Sequence, residues 1–351
     1  INLIAHIGNN SEPTLSFNGH MDVVPAGNLK KWDHPPYGGV IKNGYLWGRG
    51  ASDMKGGVAG LLSAMRILTQ VEDNLNGKLS LTLVPDEETG GHRGSGYIVR
   101  EKLVKPDACI IAEPTGIPLI DIGQKGAIWL KIIVEGVPTH GSLAPYKGDN
   151  AILKAQKVMN NLLRLTEMPA SPGKDIASVI EQSKPLIEDL IGEKGIGKVL
   201  SFPTVNIGTI KGGTKTNIVP SECEFDVDIR LPIGITVEEA KNKIKNLLEE
   251  FGANIKIKFE TTIDPNYTLP NTDLVTSAKK TVNEIVDEPA QLFVQWASSD
   301  ARFFRLNGIP TIHYGPAEVE GIHGYNEKVK VDDLVTATKV YVGTALDYLQ
   351  E

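Results

Sequence analysis

Three short apolar runs limit what this chain of 351 residues can become. Residues 15–18, 79–84 and 108–112 suit buried strands, and residues 55–68 between the first two carry apolar side chains at helical spacing. Strand and helix in alternation predict a mostly parallel sheet covered by helices. In such sheets, ligands collect beyond the carboxyl ends of the strands. His20, Glu87, Glu88 and Glu113 all follow directly after apolar runs. That common placement points to one shared site more strongly than the residue types alone.

The chain is too long for one ordinary core, so two domains are expected. Residues 127–262 pattern differently from the rest. Strands are expected at 128–135, 204–210, 222–231 and 255–260, and helices at 150–165 and 237–251. The order β-α-β-β-α-β matches a ferredoxin-like split unit. Residues 168–200, rich in Pro, Ser, Gly and charge, read as an insertion within it. From about 263 the α/β pattern returns, with helices at 274–286 and 331–349 and a strand at 310–314. The expected architecture is a discontinuous α/β domain, residues 1–126 and 263–351, with a smaller α+β domain inserted at 127–262. The opening residues are already strand-like, without an initiator Met, so upstream residues are expected to be missing or removed.

A net charge of −7 argues against nucleic-acid or anionic-membrane partners, which need basic patches. No apolar stretch approaches membrane-spanning length and no secretory signal pattern opens the chain, so a cytoplasmic location is expected. Cys109 and Cys223 are far apart in apolar contexts and read as core thiols of a reducing compartment.

Five segments supply metal-type ligands. His20 and Asp22, two apart on extended backbone, share a face, and a carboxylate near a histidine often orients its ring. Asp53 stands at the mouth of a helix, where an Asp ordinarily caps. Here it lies in the Gly-dense stretch Gly48, Gly50, Gly56, Gly57, which lets backbone approach closely. Glu87 and Glu88 are adjacent, so one can bind metal while the other moves a proton. Glu113 precedes Pro114, which holds its backbone extended. His323 sits between Ile322 and Gly324 in a loop. Two imidazoles with several carboxylates form the nitrogen and oxygen set that a pair of zinc-like ions takes up. The inventory suggests a hydrolase in which two metals share one water. His6, His34, His92 and His313 read as solvated or packed.

These segments occur in an order that resembles the co-catalytic di-zinc metallohydrolases, the family of succinyl-diaminopimelate desuccinylase, acetylornithine deacetylase, aminoacylase-1 and glutamate carboxypeptidase. The matching stretches are residues 19–25, 48–57, 86–88, 112–115 and 323–327. The resemblance implies that Asp53 bridges two divalent metals, Zn2+ by default with Co2+ or Mn2+ as fits. It implies that His20 and Glu113 complete one site and Glu88 and His323 the other. It makes Asp22 the residue that orients His20, and Glu87 the base that activates the shared water for attack on an amide carbonyl. It also implies a cis peptide bond at Asp53–Met54. In the inserted domain, His140 resembles a histidine that crosses a homodimer interface and stabilises the oxyanion in trans. Asn217 and Arg230 match positions that hold a substrate α-carboxylate, for which a guanidinium fork is suited.

The chain departs from the family at Asn28 and at Ser299, where relatives often carry Asp and Thr; without the helices that usually lead the family's first strand, part of the sheet is expected to be uncovered. The function implied is removal of the acyl group from an N-acyl amino acid. The alternatives are a metallo-carboxypeptidase or dipeptidase of the same family and, more remotely, a non-catalytic metal-binding relative. Glu rather than Asp at position 113 favours the deacylases and glutamate-carboxypeptidase-like members over the dipeptidases, and retention of Glu87 with all five ligands disfavours the non-catalytic reading.

Overall fold

The computed structural model describes residues 1–8 and 12–350. Its larger unit is an eight-stranded mixed sheet. The strand Thr14–His20 lies near its middle, paired in parallel with Lys78–Val84 on one side and Ala108–Ile111 on the other. Thr311–His313 continues the parallel set beside Ala108–Ile111, and Gln291–Gln295 runs parallel to Leu119–Gln124. All four residues of Ala108–Ile111 are buried, as a strand covered on both faces requires. The edge strand Leu3–Gly8 pairs antiparallel with Lys78–Val84 and leaves Leu3 51% exposed. The helices Gly56–Leu68, Asp273–Ile285 and Val331–Gln350 pack on one another and on this sheet.

A second sheet is wholly antiparallel, in the order Ile255–Ile263, Gly126–Glu135, Glu222–Leu231, Thr204–Gly212. Along Glu222–Leu231, buried residues alternate with partly exposed ones, the signature of a sheet with one face on a core. The helices Ala151–Leu163 and Val237–Leu248 supply that core from the other side, with Val158 and Ile244 buried among Ile132, Phe225 and Ile229. A capping box between Thr236 and Glu239 opens the second helix.

The stretch read as an insertion contains an 18-residue helix, Lys174–Ile191, despite Pro185 within it. This helix packs on the larger core, not the smaller one. Ile176, Val179, Ile180 and Ile187 are buried there, and the amide of Val294 donates to Ser183 Oγ at 2.9 Å. Ser183 in turn donates to the Val179 carbonyl at 2.7 Å. So part of the 127–262 stretch belongs physically to the larger unit, because its apolar face meets the strand Gln291–Gln295. A small third sheet, Val40–Lys42, Tyr45–Trp47 and Lys328–Lys330, ties together the loops on either side of it.

Candidate metal centre

Three parallel strands deliver ligands to one edge of the large sheet. Thr14–His20 ends on His20, which is 1% exposed. Lys78–Val84 is followed by a single turn, Glu87–Thr89, and Ala108–Ile111 by Glu113. Asp53 arrives from the turn before the helix Gly56–Leu68, and Gly50 enters that turn with φ +80°, a conformation suited to glycine. Gly57 is needed for closeness: a Cβ there would stand 2.8 Å from the Cβ of Ala112, the residue before Glu113. The Asp53–Met54 peptide is cis, as expected.

Asp53 lies between the two imidazoles. One carboxylate oxygen is 3.1 Å from His20 Nε2 and the other 3.1 Å from His323 Nε2. Glu88 stands 3.2 Å from the same His323 nitrogen. Two groups able to hold an ion result, His20–Asp53–Glu113 and Asp53–Glu88–His323, and Asp53 is common to both. Glu113 Oε1 is buried with no hydrogen-bond partner, which is the condition of an oxygen built to meet a cation. The residues therefore fit a pair of divalent ions in number, type and arrangement.

The electrostatics agree. Burial pushes Glu87 up to about 8, with the charge of Asp300 adding to the effect. Burial, with Glu87 and Asp53 nearby, also drives Glu113 well above the usual carboxylate range. His20 is pulled down by burial, but hydrogen bonds to Asp22 and Asp53 leave it well above an ordinary histidine. Hydrogen bonds to Asp53 and Glu88 raise His323 to about 10. Asp53 goes the other way: burial opposes ionisation, yet its bonds to both imidazoles hold it low. A cleft with so many carboxylates draws positive charge, as protons or as metal ions.

Two carboxylates hold this arrangement in place. Asp22 accepts the backbone N–H of Glu87 at 3.2 Å and that of Glu88 at 3.1 Å, so it fixes the acidic pair. His20 Nδ1 is 3.0 Å from the backbone carbonyl of Asp22 and 3.6 Å from its carboxylate, so the carbonyl is the nearer orienting group. Glu327, 1% exposed, accepts the amides of Gly50, Ser52 and Asp53, each at 3.0 Å, and pairs with buried Arg49. It sets the turn that carries Asp53. Sequence reasoning placed Glu327 within a motif and gave it no task; its partners lie some 275 residues away.

His313 is packed, as expected: it is fully buried, and it also lines the cleft. Its Nδ1 pairs with Asp121 and its Nε2 is 2.7 Å from Ser299 Oγ. The rule that singled out His20, a histidine closing an apolar strand, applies equally to His313. His92 packs edge-on against Phe303 and touches none of the ligands. The cleft, about 370 Å³, is further walled by Leu190, Ile191, Phe293 and Trp296.

The remaining expected residues lie elsewhere. His140 is exposed in the second sheet's loop, its Nδ1 2.8 Å from Ser142 Oγ. Asn217 stands beside it, its carbonyl accepting the Gly141 amide at 2.8 Å. Neither lines the cleft. Arg230 borders an adjoining cavity.

The family model described as peptidase family M20/M25/M40 matches residues 16–347. Succinyl-diaminopimelate desuccinylase of Marinobacter nauticus is 29% identical over 349 residues, covering 97% of this chain and 84% of its own. The enzyme of the same name from Hahella chejuensis is 29% identical over 341 residues, covering 94% and 80%. Among solved structures, an M20 family metallo-carboxypeptidase from Sulfolobus solfataricus superposes with a TM-score of 0.83 at 22% identity, covering 99% of this chain and 87% of that one. Human carnosine dipeptidase 1 gives 0.76 at 18% identity, covering 100% and 83%. At such identities the structural likeness speaks for the fold, a mixed α/β sheet flanked by helices.

Proposed function

The chain belongs to peptidase family M20/M25/M40, and from that premise we propose that it removes the acyl group from an N-acyl amino acid by di-metal amide hydrolysis. Membership makes it a metal-dependent hydrolase of amide bonds. The observation that carries the finer reading is Asp53, with one oxygen 3.1 Å from each of two imidazoles and a further carboxylate on either side.

In this reading His20, Asp53 and Glu113 would hold one divalent ion, and Asp53, Glu88 and His323 would hold a second. Zinc suits the donor set; cobalt or manganese would take the same ligands. Two such ions supply Lewis-acid polarisation of the amide carbonyl and acidify water at neutral pH. Glu87 takes the proton as the water oxygen attacks the carbonyl carbon. It then delivers that proton to the amine nitrogen as the C–N bond breaks, leaving a carboxylic acid and a free amino group. Asp22 keeps Glu87 and Glu88 in place through their amides. His140 of a second copy donates to the developing oxyanion, which makes a homodimer the working form. Asn217 and Arg230 serve the substrate's carboxylate. Two unpaired buried cysteines suit a cytoplasmic enzyme.

A panel of N-acetyl and N-succinyl amino acids against unblocked dipeptides, with metal restored after chelation, tests this reading. The N-acyl compounds are expected to be cleaved faster. Faster cleavage of the dipeptides would make the enzyme a peptidase instead.

A further inference from the structure

The metal cleft is lopsided in its chemistry. One part of its lining is the carboxylates Asp53, Glu87, Glu88 and Glu113, and another part is apolar. Leu190 and Ile191 come from the last turn of the helix Lys174–Ile191, and Phe293 and Trp296 from the strand Gln291–Gln295 and the residue after it. Val319 and Ile322, just before His323, complete the apolar part. These side chains stand on packed elements. Ser183 of the helix accepts the Val294 amide at 2.9 Å, Ile187 is buried in the larger core, and the helix also meets the turn Val319–Gly321. Phe293 and Trp296 lie edge to face, 6.3 Å between ring centres. A wall carried by a helix and a strand defines a pocket more sharply than a loop does.

Among the described residues no lysine or arginine lines this cleft. The carboxylates of Asp53, Glu87, Glu88 and Glu113 answer the charge of the ions that the proposed centre would hold, which leaves no surplus for a further anion. His313 is already engaged, its Nδ1 with Asp121 and its Nε2 with Ser299 Oγ at 2.7 Å, and burial pushes its pKa down. The side-chain amide of Gln295 is 3.0 Å from the same His313 Nδ1. An additional carboxylate carried into the cleft would therefore lose its water and gain no counter-charge. An aliphatic group there would leave water for apolar surface, which is favourable.

The scissile carbonyl has to reach Glu87 and the ligands around Asp53. In the proposed reading the amino acid's carboxylate goes to Asn217 and Arg230, and neither of these lines the cleft. The part of the substrate left within the cleft is the acyl group. We propose that Leu190 and Ile191, with Phe293 and Trp296, form the acyl pocket, and that it takes an aliphatic acyl chain rather than one ending in a carboxylate. Resting on the N-acyl amino acid reading, this names the substrate as an amino acid with an apolar acyl group. It gives the helix Lys174–Ile191 a task in specificity and separates the chain from the desuccinylases it resembles.

The test compares 4-methylpentanoyl and succinyl derivatives of alanine in the metal-loaded protein. The two acyl groups share one branched shape, with an isopropyl end in place of a carboxylate. kcat/KM for N-(4-methylpentanoyl)-alanine should exceed that for N-succinyl-alanine by about 100-fold. Leu190→Ala should shrink the ratio of 4-methylpentanoyl to acetyl turnover about tenfold, since only the longer chain reaches that wall. Ile191→Lys places the missing cation at a position 42% exposed, and should narrow the gap between succinyl and 4-methylpentanoyl about tenfold with metal content unchanged. Succinyl turnover as fast as 4-methylpentanoyl in wild type would overturn the pocket, as would both ratios unmoved in both variants. Calorimetry with the free acids, 4-methylpentanoate and succinate, keeps this result apart from the deacylase reading. If only unblocked dipeptides are cleaved, that reading fails. Tighter binding of succinate would then overturn the apolar pocket, and tighter binding of 4-methylpentanoate would uphold it for the residue on the carbonyl side.

Discussion

The floor of the metal cleft and the loop around His140 are held in very different ways. In the cleft, Asp22 fixes the amides of Glu87 and Glu88, and Glu327 fixes those of Gly50, Ser52 and Asp53. The acidic pair and the Asp53 turn are each positioned by a partner from a distant part of the chain. His140 is exposed, and its side chain finds only Ser142, two residues on. Preorganisation is worth most where charge develops. In the proposed mechanism His140 of a second copy completes the site, and there it would gain the ordered surroundings it lacks here.

The largest effect expected on the cleft side is from Glu87→Gln. Steady-state kinetics should lose about 10²–10⁴-fold in kcat with metal content intact. Hydrolysis that persists in this variant would remove Glu87 as the base. On the open side, His140→Ala should cost about 10²–10³-fold. Mixing it with Glu87→Gln should recover about a quarter of wild-type activity, because half the dimers are mixed and each of those has one complete site. No recovery from dimers known to exchange subunits would show that His140 does not act in trans. A smaller effect belongs to Glu327→Gln, which loosens the Asp53 turn without touching a ligand. Metal affinity should fall by about 10–100-fold in a competition titration against a chelator. Smallest is Ser183→Ala, which strips the Val294 amide of its acceptor. Denaturant unfolding should register about 1–3 kcal/mol of lost stability with metal affinity unchanged. An unaffected midpoint would mean that the inserted helix is not part of the catalytic core.

The same contrast explains what could be read in the sequence. Ligands at strand ends were legible, because an apolar run closing on His20 or Glu113 carries its geometry with it. The different tasks of Glu87 and Glu88 were not legible from the residues, since adjacent glutamates look alike, and only the family resemblance told them apart. Glu327 escaped because its role depends on partners more than 270 residues away, the amides of the Asp53 turn. The helix Lys174–Ile191 was obscured by Pro185 and by polar composition. Its apolar residues Ile176, Val179, Ile180 and Ile187 do follow helical spacing, but nothing local says which core they face.

Metal content per chain, measured alongside hydrolysis in wild type and in Asp53→Asn, tests the central claim most directly. The account predicts two divalent ions per wild-type chain, amide hydrolysis that disappears on chelation and returns with metal, and at most one ion with little activity in the variant. Undiminished hydrolysis in metal-free protein, or two tightly bound ions in fully active Asp53→Asn, would contradict it.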